Sequence, residues 1–534
     1  MKKIGMLVLT VFLVFGVGGN AMAERMGGTF NWIAPYGGDF HSLDPHISAR
    51  TNDYLALINM NRGLYRWNPD TNQPAAELAE TVGISDDGLL YTYQLHKNVK
   101  FHNGRNMTAD DVIWSYNRIM AKEIASPCAR YVRIIKGAKE MEAGTATTIS
   151  GIKKIDDYTI EITLDDPIDP GFPLCHPCAA ILPKEAVEKK GEGFGVDPVG
   201  CGPFQFVRWE KGSVMEMTKF PGYFESGKPY LDKLVYHIMP EGAARDVGFR
   251  SKELDATLVG SAQYPAYQKD PEISQNMVEV AEMFTRHMGF NTNFKPFADK
   301  RVRQAINYAI NEDLIIKKFI KNKAYPAVSF LPTTSPAFDP DAKAYGYDVE
   351  KAKQLMKAAG YENGFEFTCI ATSNKSFGAA VVEALIPFLK KINVTVKPQL
   401  LEGAALSEKV FKTADFDAYI WSVESGPDPL QALNRWSSSN PRSAGNLVAY
   451  NNPEFDKLLD AAGKERDPAK KTELLRTADG IFKEDAPLWF FNYNKAIIAH
   501  QPWVHGIKPV AVEHMFQDFT SIWVDAASPR ATQK

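Results

Sequence analysis

The sequence is poor in the groups that do chemistry. It has 5 cysteines and 10 histidines in 534 residues. No G-x-x-x-x-G-K-[ST] loop is present, which removes a P-loop nucleotide site. Neither a G-x-S-x-G elbow nor an H-E-x-x-H helix occurs, so the two commonest hydrolase signatures are missing and the chain reads as a non-enzyme without a cofactor. There is no basic excess: 61 Lys and Arg stand against 64 Asp and Glu, a net charge of −3, which argues against a nucleic-acid partner. Beyond residue 17 no stretch approaches the ~20 apolar residues of a membrane span, so no membrane insertion is expected. No cysteine follows the N-terminal apolar run, which speaks against a lipid anchor.

What is present starts with an export signal. Lys2 and Lys3 precede an apolar run over 4–17, and Ala21-Met22-Ala23 forms an A-x-A cleavage site. Residues 1–23 are therefore expected to be removed, leaving a periplasmic chain. Losing Lys2 and Lys3 takes the basic count from 61 to 59 against 64 acidic residues, or −5. With 45% hydrophobic and 11% aromatic residues, a chain this long can build large cores and divides into at least two lobes.

Export also permits disulfides. Cys128, Cys175, Cys178 and Cys201 lie close in sequence, so one or two bridges within one subdomain are expected, and the fifth, Cys369, makes the count odd. Cys175-His176-Pro177-Cys178 is a C-x-x-C. A redox pair wants that motif at a helix start inside a βαβ unit, whereas here Ala-Ala-Ile-Leu-Pro follows and reads as a strand ending at Pro183. A zinc site wants a second ligand pair, and none has the spacing. A structural bridge to Cys201 or Cys128 is the reading left.

The most informative stretch is 74–119. Asp86-Asp87-Gly88 marks a turn, and residues 90–97 then alternate with a β period. Asn103-Gly104 marks a second turn. Thr108, with Asp111 three residues on, has the form of a capping box, and Val112, Tyr116, Ile119 and Met120 give the helix that follows one apolar face. In 299–310, Val302, Ala305, Ile306, Ala309 and Ile310 share a helical face. Asn452-Pro453 and Asp467-Pro468 are cap-plus-proline pairs that open two late helices.

These pieces also carry a resemblance. Leu78-Ala79-Glu80, Ser85-Asp86-Asp87-Gly88, Val99-Lys100-Phe101-His102-Asn103-Gly104 and Thr108-Ala109-Asp110-Asp111-Val112 resemble the signature of the family 5 extracellular solute-binding proteins, the dipeptide, oligopeptide and nickel group, with Asn103 where Asp is usual. Leu43-Asp44-Pro45, Val199-Gly200-Cys201-Gly202-Pro203-Phe204 and 297–306 fit the same family.

The resemblance implies an α/β, two-lobed periplasmic-binding-protein fold of the large, cluster C type, with mixed sheets and two hinge crossings. Lobe I would take 24–287 and 500–534, with a subdomain at about 61–198; lobe II would take 288–499. The protein would be a monomeric receptor that hands a small solute, a short peptide first, to an inner-membrane ABC permease and its ATPase. Opines, sugars and nickel or haem chelates are the alternative ligands, for which His41, His46 and His102 are the available metal-binding side chains. An exported enzyme or a C-x-x-C redox protein is the remote reading.

The resemblance also nominates a site. In peptide-binding members the acid three residues after a tryptophan takes the ligand's α-ammonium, and that position is Glu424, after Trp421. Trp421 would be an apolar wall, and backbone near Ser422 would pair with an extended ligand. The residues after the Leu-Asp-Pro loop carry over to Ala49, Arg50 and Thr51, and Tyr131 matches an aromatic ligand neighbour. Glu replaces the usual Asp, and Gly426-Pro427-Asp428-Pro429 shows a remodelled loop. The tail 526–534 reads as frayed.

Overall fold

The computed structural model describes residues 27–34, 38–373, 378–442, 445–512 and 516–532. The proposed signal, 1–23, lies outside the described residues. Among those described, no helix is long and apolar enough to cross a membrane.

Three sheets organise the molecule. A four-stranded sheet orders Thr29–Ile33, Lys233–His237, Val214–Lys219 and Phe204–Glu210, the first pair parallel and the rest antiparallel. A second four-stranded, antiparallel sheet orders Ala79–Ile84, Leu90–Leu95, Thr159–Thr163 and Ile152–Asp156. The third is mixed and has seven strands. It is built around two long ones, Met277–Phe290 and Leu488–His500, which run antiparallel to each other. At one end Leu488–His500 pairs with Ala256–Leu258; elsewhere Met277–Phe290 pairs with Ala418–Glu424, which runs parallel to Glu366–Thr372.

Core membership follows the two lobes of a binding-protein fold. One core joins residues from 30–283 with 498–524. The other cores of the second lobe pack on the two faces of the mixed sheet. Ala418, Ile420 and Met288 belong to one, Tyr419, Val423 and Leu488 to the other, as strand alternation requires.

Local signals explain most elements. Thr108 and Asp111 form the capping box of Ala109–Met120, with the Thr108 N–H donating to Asp111 Oδ2 at 2.8 Å, and Val112, Tyr116, Ile119 and Met120 are buried. Tyr91, Tyr93 and Leu95 are the buried face of their strand. Asn452 and Asp467 cap Pro453–Lys464 and Pro468–Asp485. Gly202 is required by close approach. A Cβ there would meet Met60 C at 2.5 Å and Asn61 N at 2.7 Å.

Two expectations fail. The run Ala179–Pro183 is no strand: Pro177–Ala179 is a 3₁₀ turn, and the residues after it are buried in extended coil. Their polar groups are satisfied by side chains and distant backbone instead of a ladder: Ile181 N–H donates to Arg62 O at 2.9 Å and Leu182 N–H to Ser115 Oγ at 2.9 Å. The tail is also not frayed through Thr532. Arg530 Nη2 lies 2.6 Å from Asp255 Oδ1, a carboxylate with no exposure, and the Gly28 N–H donates to Thr532 Oγ1 at 2.6 Å.

Candidate functional site

The strand Ala418–Glu424 carries the second-lobe residues of the candidate site. Its register with Met277–Phe290 sets Trp421 opposite His287, Ser422 opposite Arg286 and Glu424 opposite Phe284. On its other side Glu366–Thr372 pairs only with Ala418 and Tyr419. The edge at Trp421, Ser422 and Val423 therefore has no strand partner on that side among the described residues. Trp421 is half-buried and meets Phe411 edge-on at 5.6 Å.

Where that strand ends, a cavity of about 530 Å³ opens. Glu424, Ser425, Phe411 and Arg435 line it from the second lobe, and Phe172 lines it from the first. Glu424 is exposed into it. Burial lowers the pKa of Arg435, and the Glu424 carboxylate opposes that shift. The Ser425 hydroxyl is buried with no protein partner. Phe172, Phe411, Ser425 and Arg435 were missed in the sequence. Only Ser425, adjacent to Glu424, carried a local signal.

The first-lobe candidates Ala49, Arg50 and Thr51 sit at the start of one helix, Thr51–Met60, and do not line the Glu424 cavity. Ala49 and Arg50 are exposed just before it, and Thr51 is its first residue. The loop leading in is pinned by buried Asp53, which accepts from His41 N at 2.7 Å and Ser48 Oγ at 2.7 Å; burial raises the Asp53 pKa, and these donors counter it. Arg118 clamps Asp44 with both Nη atoms, at 3.0 and 2.6 Å.

Cys128 and Cys178 form a disulfide, while Cys175, Cys201 and Cys369 are free and buried. The expected bridge is thus Cys178 to Cys128, and neither Cys175 nor Cys201 takes part. The C-x-x-C is no redox pair, because its second sulfur is already bonded across 50 residues. Tyr131 lies flat on His176, ring centroids 3.9 Å apart, with the Arg130 guanidinium over it at 4.7 Å. His176 meets Phe516, and Phe516 stacks on Phe172. A run of ring contacts thus leads from Tyr131 to the wall of the Glu424 cavity.

The histidines weighed for a metal do not converge. His46 Nε2 is 2.9 Å from Ala180 O and His102 Nε2 is 3.0 Å from Gly202 O, and burial lowers both pKa values to about 4. No group of three or more metal-binding side chains occurs among the described residues.

The model for the bacterial extracellular solute-binding proteins, family 5 Middle, matches residues 73–444. The chain belongs to this family, the receptors of ABC importers. The glutathione-binding protein GsiB of Escherichia coli K12 is 28% identical over 481 residues, covering 88% of this chain and 90% of that protein. DppA of Helicobacter pylori, an ABC transporter-associated periplasmic binding protein solved with the peptide STSA, is 28% identical, with a TM-score of 0.68 over 94% of this chain and 99% of that one. The unliganded open form of MppA, a periplasmic murein tripeptide binding protein, has a TM-score of 0.84 at 22% identity, covering 93% and 97%. That likeness speaks to fold alone.

Proposed function

We propose that this family member is a periplasmic receptor for short peptides, which it closes upon between its lobes and delivers to an inner-membrane permease. The observation that carries the reading is the end of the strand Ala418–Glu424. An edge without a strand partner at Trp421–Val423 runs into a carboxylate, Glu424, that faces an inter-lobe cavity. An extended peptide can add to such an edge through its backbone while its α-ammonium meets the carboxylate. Ala49, Arg50, Thr51 and Tyr131 are the first-lobe contacts in this reading. Relatives named for glutathione and for peptide support the ligand class. The hinge is assigned to the two long strands, between lobe I (24–287 with 500–534) and lobe II (288–499).

A thermal-shift screen of the chain from residue 24 tests it, using di- to pentapeptides, glutathione, their N-acetylated forms, sugars, opines and nickel chelates. A ligand at 100 times its Kd stabilises by about 2.7 kcal/mol. Free-amine peptides are expected to raise the transition and acetylated ones are not. A shift with sugars, opines or chelates alone would replace the peptide assignment.

A further inference from the structure

A second cavity, of about 380 Å³, lies within the first lobe, between the hairpin of Tyr65–Asn68 with Gln73–Ala76 and the segment 506–521. Among the described residues it shares no wall residue with the Glu424 cavity. Trp67 and Phe516 give it aromatic surface, their ring centroids 6.2 Å apart. The same hairpin carries Gln73, whose Nε2 donates to Pro427 O of the second lobe at 3.1 Å.

Its charges are already matched. Arg66 meets Glu77 at 2.9 Å and Glu225 at 3.0 Å. Lys228 meets Glu225 at 3.2 Å, and Lys508 pairs with Asp70. Asp518 meets Arg62 at 2.8 Å and accepts from the Thr520 N–H at 2.7 Å. A charged occupant would find no free countercharge, which argues against an ion. Two neutral groups on the wall are unmatched. The Trp67 indole N–H, a donor, and the Gln517 side-chain oxygen, an acceptor, are buried with no hydrogen-bond partner among the described residues. Trp67 is 2% exposed and Gln517 4%. Leaving such groups unmatched costs free energy, and a ligand that supplies the complements relieves it.

We infer that this cavity binds a neutral small molecule carrying a carboxamide. Its carbonyl oxygen accepts from Trp67 Nε1, its N–H donates to Gln517 Oε1, and a flat apolar group lies against Trp67 and Phe516. A carboxamide presents both complements close together without charge; an ester lacks the donor, and a carboxylate is an anion. The site is separate from the Glu424 cavity and stands whether or not the receptor takes peptides. Its occupant bears on the hairpin whose Gln73 touches Pro427, three residues beyond Glu424, so it is placed to bias the open-closed equilibrium.

Titration of the chain from residue 24 with benzamide, methyl benzoate and benzoate, followed by calorimetry and saturation-transfer NMR, tests it. The three probes share a ring, and only benzamide carries both complements without charge. Benzamide is expected to bind at millimolar concentration or below, with the ester and benzoate about tenfold weaker or worse. Trp67→Phe keeps a ring and removes the N–H; Gln517→Met keeps the length and removes the acceptor. Each is expected to weaken benzamide about tenfold, while Glu424→Gln leaves it unchanged. A cooperative melting transition verifies the fold of each variant, and the near-isosteric Gln517→Met is the safeguard should Trp67→Phe unfold. No benzamide binding by the wild type, or equal binding of all three probes, would overturn the site. Loss of benzamide binding in Glu424→Gln, with Trp67→Phe and Gln517→Met unaffected, would put the probe in the other cavity and overturn it as well. If peptides fail to bind while benzamide remains sensitive to Gln517→Met, the peptide reading falls and this site stands.

Discussion

Glu424 is exposed at the wall of a cavity that Arg435 also lines. Removing the Glu424 charge while keeping its shape should therefore act on binding far more than on folding. Glu424→Gln is expected to weaken a free-amine peptide by about tenfold or more, because a charge-assisted hydrogen bond contributes ~1.5–3 kcal/mol. The same variant should bind N-acetylated peptides no worse than the wild type does, which calorimetry checks. A second residue-scale prediction concerns His46 and His102. Burial holds both neutral in the fold, with pKa values lowered to about 4 from 6.5. Between those values the unfolded chain binds more protons, so the stability they contribute is complete above pH 6.5 and is lost as pH falls toward 4. Ring signals followed by NMR titration should remain those of neutral imidazole down to about pH 4. The pair Arg62 and Glu77, 2.8 Å apart and both buried, is a third case. Asp518 lies 2.8 Å from Arg62 Nη2 and remains after Glu77→Ala, so the substitution is expected to cost about 1–3 kcal/mol in denaturant titrations.

Elements written in local signals were legible in the sequence. The capping box at Thr108 and the capped helices at Pro453 and Pro468 each use residues within four positions of one another. What was not legible depends on distant partners. The tail is held by Asp255 and Asp232, some 270 to 300 residues away in sequence. The run after Cys178 is apolar because it is buried, and its backbone partners, Arg62 and Ser115, cannot be read from its own composition. Four nearby cysteines allow several pairings, and only the fold brings Cys128 to Cys178. In the candidate site, the family resemblance nominated Glu424 and Trp421, while Phe172 and Arg435 reach the Glu424 cavity from other elements. The disulfide closes a loop of 50 residues beside Tyr131. Cys128→Ser is expected to lower stability by about 2–5 kcal/mol, read as a fall in melting temperature.

At the scale of the molecule, two lobes share a sheet whose long strands pass from one core to the other. Gln73 in the first lobe already reaches the second, its Nε2 donating to Pro427 O at 3.1 Å. A ligand that touches both lobes shifts the population toward the closed form by its differential affinity for that form. Small-angle scattering should therefore report a smaller radius of gyration with saturating peptide than without. The most direct test of the receptor reading is a calorimetric titration of the chain from residue 24 with one tripeptide, run beside its N-acetylated form and beside Glu424→Gln. The account predicts binding by the wild type to the free amine, with acetylation and the substitution each removing most of the affinity. Tight binding that neither change affects would contradict the assignment of Glu424 as the ammonium anchor, and the absence of any peptide binding would contradict the peptide receptor itself.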